Sequence, residues 1–232
     1  MSNPALLYLQ DLTGGSELID WEWLRENFWE DIVPAVQGHI FLSFISIAIA
    51  LAISLPMGVL SARYRKVYPP VTFITGVLYS VPSLAMFAIL VAAGISIGPT
   101  PVIIALVAYS LLILIRNTVA GLDAVPPETI DAARGMGLTD RQILFRVELP
   151  LALPIIVAGI RIAIVTIIGI ATIGAYINGG GLGKLIFDGI NRQFPTMIIA
   201  GAVLATALAI VADLLLLALE RYLRPWARAR KA

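Results

Sequence analysis

Cysteine is absent from this sequence of 232 residues, and histidine occurs once, as His39. The chain therefore has no disulfide and no thiolate metal site, and a metal site built from several histidines is excluded. Charged residues are also scarce: they make up 13% of the chain, against about 25% in a typical soluble domain. This composition excludes an ordinary soluble globular domain, and no nucleic-acid-binding signature is present.

Apolar residues make up 59% of the chain and are collected in long runs. A helix needs about 20 apolar residues to cross a bilayer, and several windows approach or exceed that length. The predicted spans are residues 38–61, 71–93, 101–121, 152–176 and 197–219. These runs predict an all-α membrane protein with five transmembrane helices, in which residues 38–220 form the transmembrane domain.

The first 37 residues are acidic and carry one basic residue, Arg25. Within them Trp21, Leu24, Phe28 and Trp29 recur at helical spacing, which predicts an amphipathic helix. Such a helix lies in the membrane interface, with its tryptophans at headgroup depth, or packs on neighbouring loops. The chain does not begin with a basic segment followed by an apolar run, so no cleavable signal peptide is expected.

The placement of lysine and arginine predicts the orientation in the membrane. Of the 16 basic residues, only Arg25, Lys184 and Arg192 lie in the N-terminal segment or in the loops after the second and fourth spans. The other 13 lie in or near the opposite segments, including the basic tail 221–232. The positive-inside rule then places the N-terminus outside a bacterial-type plasma (inner) membrane and the C-terminus in the cytoplasm.

A polar segment, residues 123–150, interrupts the apolar runs between the third and fourth spans. Pro126 and Pro127 preset helical φ angles at a helix start. Gly137 suits the left-handed position just past a helix end. These signals predict the first helix of a helical hairpin.

The second helix of the hairpin has its own start and stop signals. Thr139 and Gln142 form the S/T-x-x-E/Q pattern of a capping box, which predicts a helix start at this point. Pro150 predicts the end of that helix, because a proline disfavours helical geometry at the residue before it.

The hairpin also carries a spaced pattern that resembles the EAA loop of binding-protein-dependent ABC importer permeases, E-A-A-x3-G-x9-I-x-L-P. The matching positions are Asp131, Ala132, Ala133, Gly137, Val147, Leu149 and Pro150, with Asp for Glu and Val for Ile. The resemblance implies that the hairpin is a cytoplasmic coupling helix that docks on a separate ATPase subunit. The small Ala132 and Ala133 would let its backbone approach that partner closely.

Further stretches resemble the osmoprotectant branch of these permeases, which imports glycine betaine, carnitine or choline. They are residues 23–27, 80–85, 115–118 and 159–161, and 180–183 in the loop after the fourth span. Related type I importers of methionine, nitrate or sulfonates share several of them and stay open as alternatives. The resemblance implies a transport path between two permease subunits, identical or similar. It also implies a cytoplasmic ABC ATPase dimer, an extracytoplasmic substrate-binding protein, and ATP and magnesium held by the ATPase rather than by this chain.

Three charged residues, Arg116, Arg161 and Asp213, lie within apolar spans. A charge at such depth costs about 2.5–3.5 kcal/mol on insertion scales, so each is expected to have a partner. Arg161 and Asp213 each lie on the order of 10 Å from one end of their spans, at about 1.5 Å per residue. We therefore predict that they pair, with Arg116 as a competing partner. The pair serves gating or substrate passage, or it is a structural contact between helices.

Polar residues also gather at a break in the second span and on the third. The candidates for lining a translocation path are Tyr79, Ser80, Pro82, Ser83, Asn117 and Thr118. Pro82 removes a backbone hydrogen bond and kinks its helix, and irregular backbone at membrane depth is tolerated where it lines a water-filled path. A kink that serves packing, with hydroxyls that join helices, is the alternative.

Other function classes find less support in the sequence. Residues 178–184 suggest a P-loop, but the first glycine of that motif is replaced by Asn178 and its Ser/Thr by Leu185. An external loop is the better interpretation. An ion-coupled transporter would need inverted repeats, and none is visible. A membrane scaffold would not need Arg116 or Asp213, and no constellation of catalytic residues predicts an enzyme.

Overall fold

The computed structural model describes residues 18–222. Residues 1–17 and 223–232, with part of the acidic segment and most of the basic tail, lie outside the described residues. Residues 18–222 form helices that are joined by turns. Its α-helices are α1 Trp21–Glu26, α2 Val33–Arg63, α3 Tyr68–Ser80, α4 Ser83–Ala92, α5 Pro99–Asp123, α6 Pro127–Gly135, α7 Asp140–Ile143, α8 Leu149–Gly174, α9 Leu182–Asn191 and α10 Pro195–Tyr222.

Two π-helical turns extend the long helices at their N-terminal ends. Phe28–Ile32 leads into α2, and Leu144–Glu148 connects α7 to α8. Helical segments therefore run without interruption over Phe28–Arg63 and over Asp140–Ile177. The second of these carries the last part of the polar hairpin directly into a membrane span.

Four helical segments of the described chain are long and apolar enough to cross a membrane: Phe28–Arg63, Pro99–Asp123, Asp140–Ile177 and Pro195–Tyr222. A fifth is present when α3 and α4 are counted together, because the pair meets the same criteria but bends by 98°. The prediction of an all-helical membrane protein is confirmed. The break at Pro82 is sharper than the simple kink that the proline predicts.

The core lies where α2, α4, α5 and α8 meet. Phe87, Leu106 and Ile167 are fully buried there. A second cluster, with Leu182 and Met197, packs α9 and α10 against the start of α2. The long helices thus form one bundle, with residues 123–148 at one end, called the hairpin end below.

A seam of small residues on α2 allows close helix packing. The seam consists of Ser43, Ser46, Ala50, Ser54, Gly58 and Ser61, all buried and spaced three or four residues apart. α2 packs most extensively on α5. A Cβ atom at Gly58 would lie 2.6 Å from the Cβ of Thr118 on α5. Small residues at this spacing let helix backbones approach closely.

α10 lies on the outside of the bundle and leaves much of its surface uncovered. Small residues recur on α10 at Gly201, Ala205, Ala209 and Ala212, and this stripe faces its own chain: Gly201 and Ala205 are buried, and Ala209 and Ala212 are half-buried. A Cβ atom at Gly201 would lie 2.7 Å from a side-chain carbon of Ile186 on α9. The stripe therefore serves packing inside this chain.

Candidate functional site

The first helix of the hairpin, α6, begins and ends where the sequence predicts. Pro127 is its first residue, and Gly137 lies just past its end with φ of +80°. The Gly137 N–H donates to the carbonyl of Arg134 at 2.9 Å, and the Leu138 N–H donates to that of Ala133 at 3.2 Å. The left-handed glycine turn is thus confirmed.

The second predicted helix start is confirmed as well. The Thr139 N–H donates to the Gln142 side-chain oxygen at 2.9 Å, and the Gln142 N–H donates to the Thr139 hydroxyl at 3.4 Å. This reciprocal pair is a capping box.

The prediction that Pro150 ends the second helix is wrong. Leu149 before it is helical, with φ −60° and ψ −45°, and the helix continues through the π-helical turn into α8. Pro150 falls in the first turn of α8, where a missing N–H is tolerated. Pro150 lies two residues after the π-helical turn, whose i→i−5 hydrogen bonds, such as that from the Leu149 N–H to the Leu144 carbonyl, interrupt the regular i→i−4 pattern there.

The residues of the EAA-like pattern divide between surface and interior. Asp131 and Ala132 are exposed, and Ala133 is buried within the chain. Val147 in the π-helical turn and Leu149 and Pro150 at the start of α8 are half-buried, and Gly137 is exposed at the turn. Of the two alanines, only Ala132 is therefore open to another protein.

Glu148, between Val147 and Leu149, is absent from the sequence-based predictions. It is 5% exposed and accepts a hydrogen bond from the guanidinium of Arg63, the last residue of α2. It occupies the variable position of the I-x-L-P pattern, so the spacing gave no reason to select it. The signal that the sequence did contain is a carboxylate at the start of the fourth span, on the same predicted side of the membrane as the basic residues after the first span.

A second ion pair lies beside the first. Arg65 donates to Asp123, the last residue of α5, with one contact of 2.9 Å. The hydrogen bond and charge of Asp123 raise the pKa of Arg65 above its usual value. Both side chains are open to solvent, with exposures of 60% for Arg65 and 39% for Asp123.

Within the spans, Arg161 and Asp213 form the predicted pair. Nε and Nη2 of Arg161 donate to the two carboxylate oxygens of Asp213 at 2.8 and 2.9 Å. Nη1 also donates to Glu220 at 3.4 Å. Glu220 follows Asp213 by seven residues, about two helical turns. This spacing is the sequence signal by which Glu220 could have been predicted as a further partner.

Arg116 does not compete for Asp213. Its side chain is exposed on α5, and no ion pair or hydrogen bond joins it to another residue among residues 18–222. It follows Tyr109 by seven residues, about two turns, and so lies on the same helix face.

The break in the second span packs on that face of α5. The rings of Tyr79 and Tyr109 lie 6.2 Å apart, edge to face, and the Tyr109 hydroxyl donates to the freed carbonyl of Val81 at 2.8 Å. Ser80 and Pro82 are exposed at the bend, and Ser83 is half-buried. Tyr79 is also exposed.

The other two path candidates face neighbouring helices. Thr118 is fully buried against Gly58 of α2. Asn117 lies against Gly159 of α8, where a Cβ atom would come within 2.4 Å of the Asn117 Cβ. In this conformation both residues serve as packing contacts.

The glycine-rich loop at the far end of the bundle is anchored by the single histidine. His39 is fully buried; its Nδ1 accepts from the Leu182 N–H at 3.2 Å, and its Nε2 donates to the carbonyl of Ile168 at 3.1 Å. A Cβ atom at Gly181, where φ is +74°, would lie 2.9 Å from that Nδ1. Close packing on His39 thus accounts for glycine at this position.

Comparison with known proteins identifies the family. The family described as binding-protein-dependent transport system inner membrane component matches residues 54–229. The carnitine transport permease protein OpuCB of Listeria monocytogenes is 40% identical over 203 residues, covering 88% of this chain and 92% of that protein. The glycine betaine/carnitine/choline transport system permease protein OpuCD of Bacillus subtilis is 41% identical over 188 residues, covering 81% and 82%.

Solved structures show the same fold. The inward-facing MetNI methionine ABC transporter contains a chain that superposes with a TM-score of 0.73 at 26% identity, covering 82% of this chain and 95% of the other. The resemblance inferred from the hairpin is confirmed. This chain belongs to the family of binding-protein-dependent transport system inner membrane components, and it is a permease subunit of an ABC transporter with the type I importer fold.

Proposed function

We propose that this permease imports small osmoprotectants that carry a quaternary ammonium group, with glycine betaine, carnitine and choline as the candidates. The observation that carries the proposal is 40% and 41% identity to the two permeases named above, over more than four fifths of every chain compared. Identity to the methionine transporter chain is lower, at 26%. Methionine is therefore the second candidate, followed by nitrate and sulfonates.

In this proposal a soluble extracytoplasmic binding protein delivers the substrate, and most of the specificity lies there. A quaternary ammonium group is recognised by an aromatic cage through cation–π attraction. Co-purification of the permease with its ATPase and binding protein, followed by a radioligand screen on the binding protein, tests the assignment. We expect glycine betaine, carnitine or choline to bind and methionine not to bind. Binding of methionine alone would replace the assignment with the second candidate.

The transport path in this proposal lies between two permease subunits. The exposed side chain of Arg116 on α5, together with the exposed Tyr79, Ser80 and Pro82 at the bend, supports this arrangement. A guanidinium within a membrane span is tolerated where it faces a water-filled cavity or a partner. These residues are the candidates for contact with the substrate or with the second subunit.

The hairpin is proposed to dock on a cytoplasmic ABC ATPase dimer, which binds ATP and magnesium. Two apolar side chains near its exposed Asp131 and Ala132 support the proposal, since Met136 and Phe145 are 72% and 58% exposed. Exposed apolar groups rimmed by polar residues are typical of protein–protein contacts. ATP binding would close the ATPase dimer and move the hairpin.

In this proposal the hairpin lies in the cytoplasm, and the loop before α10 lies on the outer side of the membrane. The chain has no cysteine, so single-cysteine variants report on one site each. We expect Asn191→Cys to react with a membrane-impermeant maleimide in intact cells and Met136→Cys to react only after the membrane is opened. Both residues are exposed, so burial does not hide either one. Labelling of Met136→Cys in intact cells would place the hairpin outside and overturn the importer proposal.

The turn at Gly137 provides a test of coupling. A left-handed backbone costs a residue with a side chain about 1–2 kcal/mol, so Gly137→Val is expected to misplace the hairpin and to reduce transport several-fold. Gly135→Val is the matched control, because a Cβ atom meets nothing within 4 Å at either glycine and only Gly137 has a positive φ. Transport assays in proteoliposomes and membrane content measure the two effects separately. Equal transport by both variants, at equal membrane content, would remove the docking role.

A further inference from the structure

We propose that the Arg63–Glu148 ion pair is the linkage through which movement of the hairpin reaches α2, with Glu148 as a positioning residue for transport. The inference rests on the proposed function, in which an ATPase moves the hairpin. It adds a residue that the EAA-like pattern does not include, because Glu148 stands at the variable position of that pattern.

Connectivity shows why such a linkage is needed. The hairpin continues into α8 as one helical segment, Asp140–Ile177, so its movement reaches that span through the backbone. α2 has no such continuity, since it ends at Arg63 and α3, α4 and α5 separate it from the hairpin in sequence. Movement can reach its hairpin end only through contacts between side chains or helix surfaces.

Burial identifies Glu148 as the contact. Among residues 18–222 it is the only aspartate or glutamate that is buried, with a side chain 6% exposed. Its ion-pair partner is Arg63, whose side chain is 36% exposed. A buried carboxylate that loses its partner cannot be solvated in place, so the two helix ends are held together.

The neighbouring ion pair extends the contact to the other end of the hairpin. Arg63 and Arg65, two residues apart, bind Glu148 after the hairpin and Asp123 before it. The four side chains line one cleft of about 360 Å³, together with Ile130 of α6. The end of α2 and the segment after it are therefore tied to both ends of the hairpin.

Exposure predicts that the two pairs differ in strength. Arg65 and Asp123 are open to solvent, where an ion pair is weak and screened by salt. Glu148 lies at the end of the π-helical turn Leu144–Glu148, and such turns are frequent at functional sites. We therefore assign the linkage to Arg63–Glu148 and use Arg65–Asp123 as its matched control.

The experiment uses the complete importer, with its ATPase and binding protein, in proteoliposomes loaded with ATP. It measures the number of ATP molecules hydrolysed per molecule of radiolabelled glycine betaine imported. Arg63→Glu and Glu148→Arg are each expected to raise this ratio by roughly tenfold. This is less than the full effect of breaking a buried pair, because the Arg63 side chain is 36% exposed. The double variant with both changes restores the pair in reverse and is expected to bring the ratio back towards the wild-type value.

The same changes at the control pair, Arg65→Glu and Asp123→Arg, are expected to change the ratio by less than about twofold. A purely structural role would lower hydrolysis and transport together and leave the ratio unchanged, which would overturn the inference. Glu148→Gln keeps the size of the side chain and removes its charge. This variant is used if a charge reversal prevents assembly of the importer. A wild-type ratio of ATP hydrolysed to substrate imported in this variant would also overturn the inference.

Measurements on the wild-type importer distinguish a failure of the proposed function from a failure of this inference. Absence of a bound ATPase would overturn the proposed function and the inference with it. Uptake of methionine in place of glycine betaine would change the substrate alone, and the ratio would then be measured with labelled methionine. Wild-type transport together with normal ratios in the Arg63 and Glu148 variants would overturn the inference alone.

Discussion

Arg161→Leu is expected to abolish transport and to leave little folded permease in the membrane. Arg161 binds both oxygens of Asp213 and also contacts Glu220, so the change removes the cation that joins α8 to α10 at this depth. An aspartate left without its cation within a span is unfavourable there. Because a folded protein is only marginally stable, we expect this loss to leave little folded permease.

Removing the second charge should reverse part of the loss. We expect Arg161→Leu combined with Asp213→Leu to regain folded protein, because an apolar pair of similar volume needs no partner in the membrane. Thermal unfolding in detergent and the membrane content of each variant measure the effect. A double variant as unstable as Arg161→Leu would show that the ion pair is not the source of the instability.

Arg116→Leu is the matched control, since it is the same substitution in a neighbouring span. Arg116 has no ion-pair partner among the described residues, so we expect unchanged folding. Transport by this variant tests the path role, and reduced transport at normal membrane content supports that role. Normal transport would mean that the exposed guanidinium does not contribute to the path.

The second large effect is expected at the seam between α2 and α5. Gly58→Leu places a side chain where even a Cβ atom would lie 2.6 Å from two carbons of the fully buried Thr118. Overpacking of a tightly packed site costs about 1–3 kcal/mol, and more where the neighbour cannot move. Because α2 and α5 share the largest helix contact, we expect loss of the folded protein.

Two comparisons test this explanation by unfolding temperature. Gly76→Leu in α3 is the control, because a Cβ atom there meets nothing within 4 Å. Gly58→Ala is expected to be destabilising, and Thr118→Gly in the same chain is expected to recover part of the loss by vacating the occupied space. If Gly58→Leu unfolded at the same temperature as Gly76→Leu, the conclusion that α2 and α5 approach closely at Gly58 would be wrong.

The predictions that the structure confirms depend on short stretches of chain. The glycine turn at Gly137 and the capping box of Thr139 and Gln142 lie where the sequence predicts them. Each depends on φ angles or on hydrogen bonds between residues three positions apart, so the residues themselves carry the information. Pro150 fails as a stop signal because a π-helical turn just before it interrupts the regular i→i−4 hydrogen bonds, and no residue type specifies that turn.

The sequence by itself determined that this is a helical membrane protein with five apolar segments and a polar hairpin, because hydrophobic run length and helix caps act over neighbouring residues. It also indicated the charges of Arg161 and Asp213 as partners, because a membrane span gives a lone charge few alternatives. Only the tertiary structure decided that Glu148 is buried on Arg63, that Gly58 faces Thr118, and that α3 and α4 meet at 98°. Those outcomes depend on which helix surfaces meet across many residues of intervening chain, and local sequence patterns do not encode that choice.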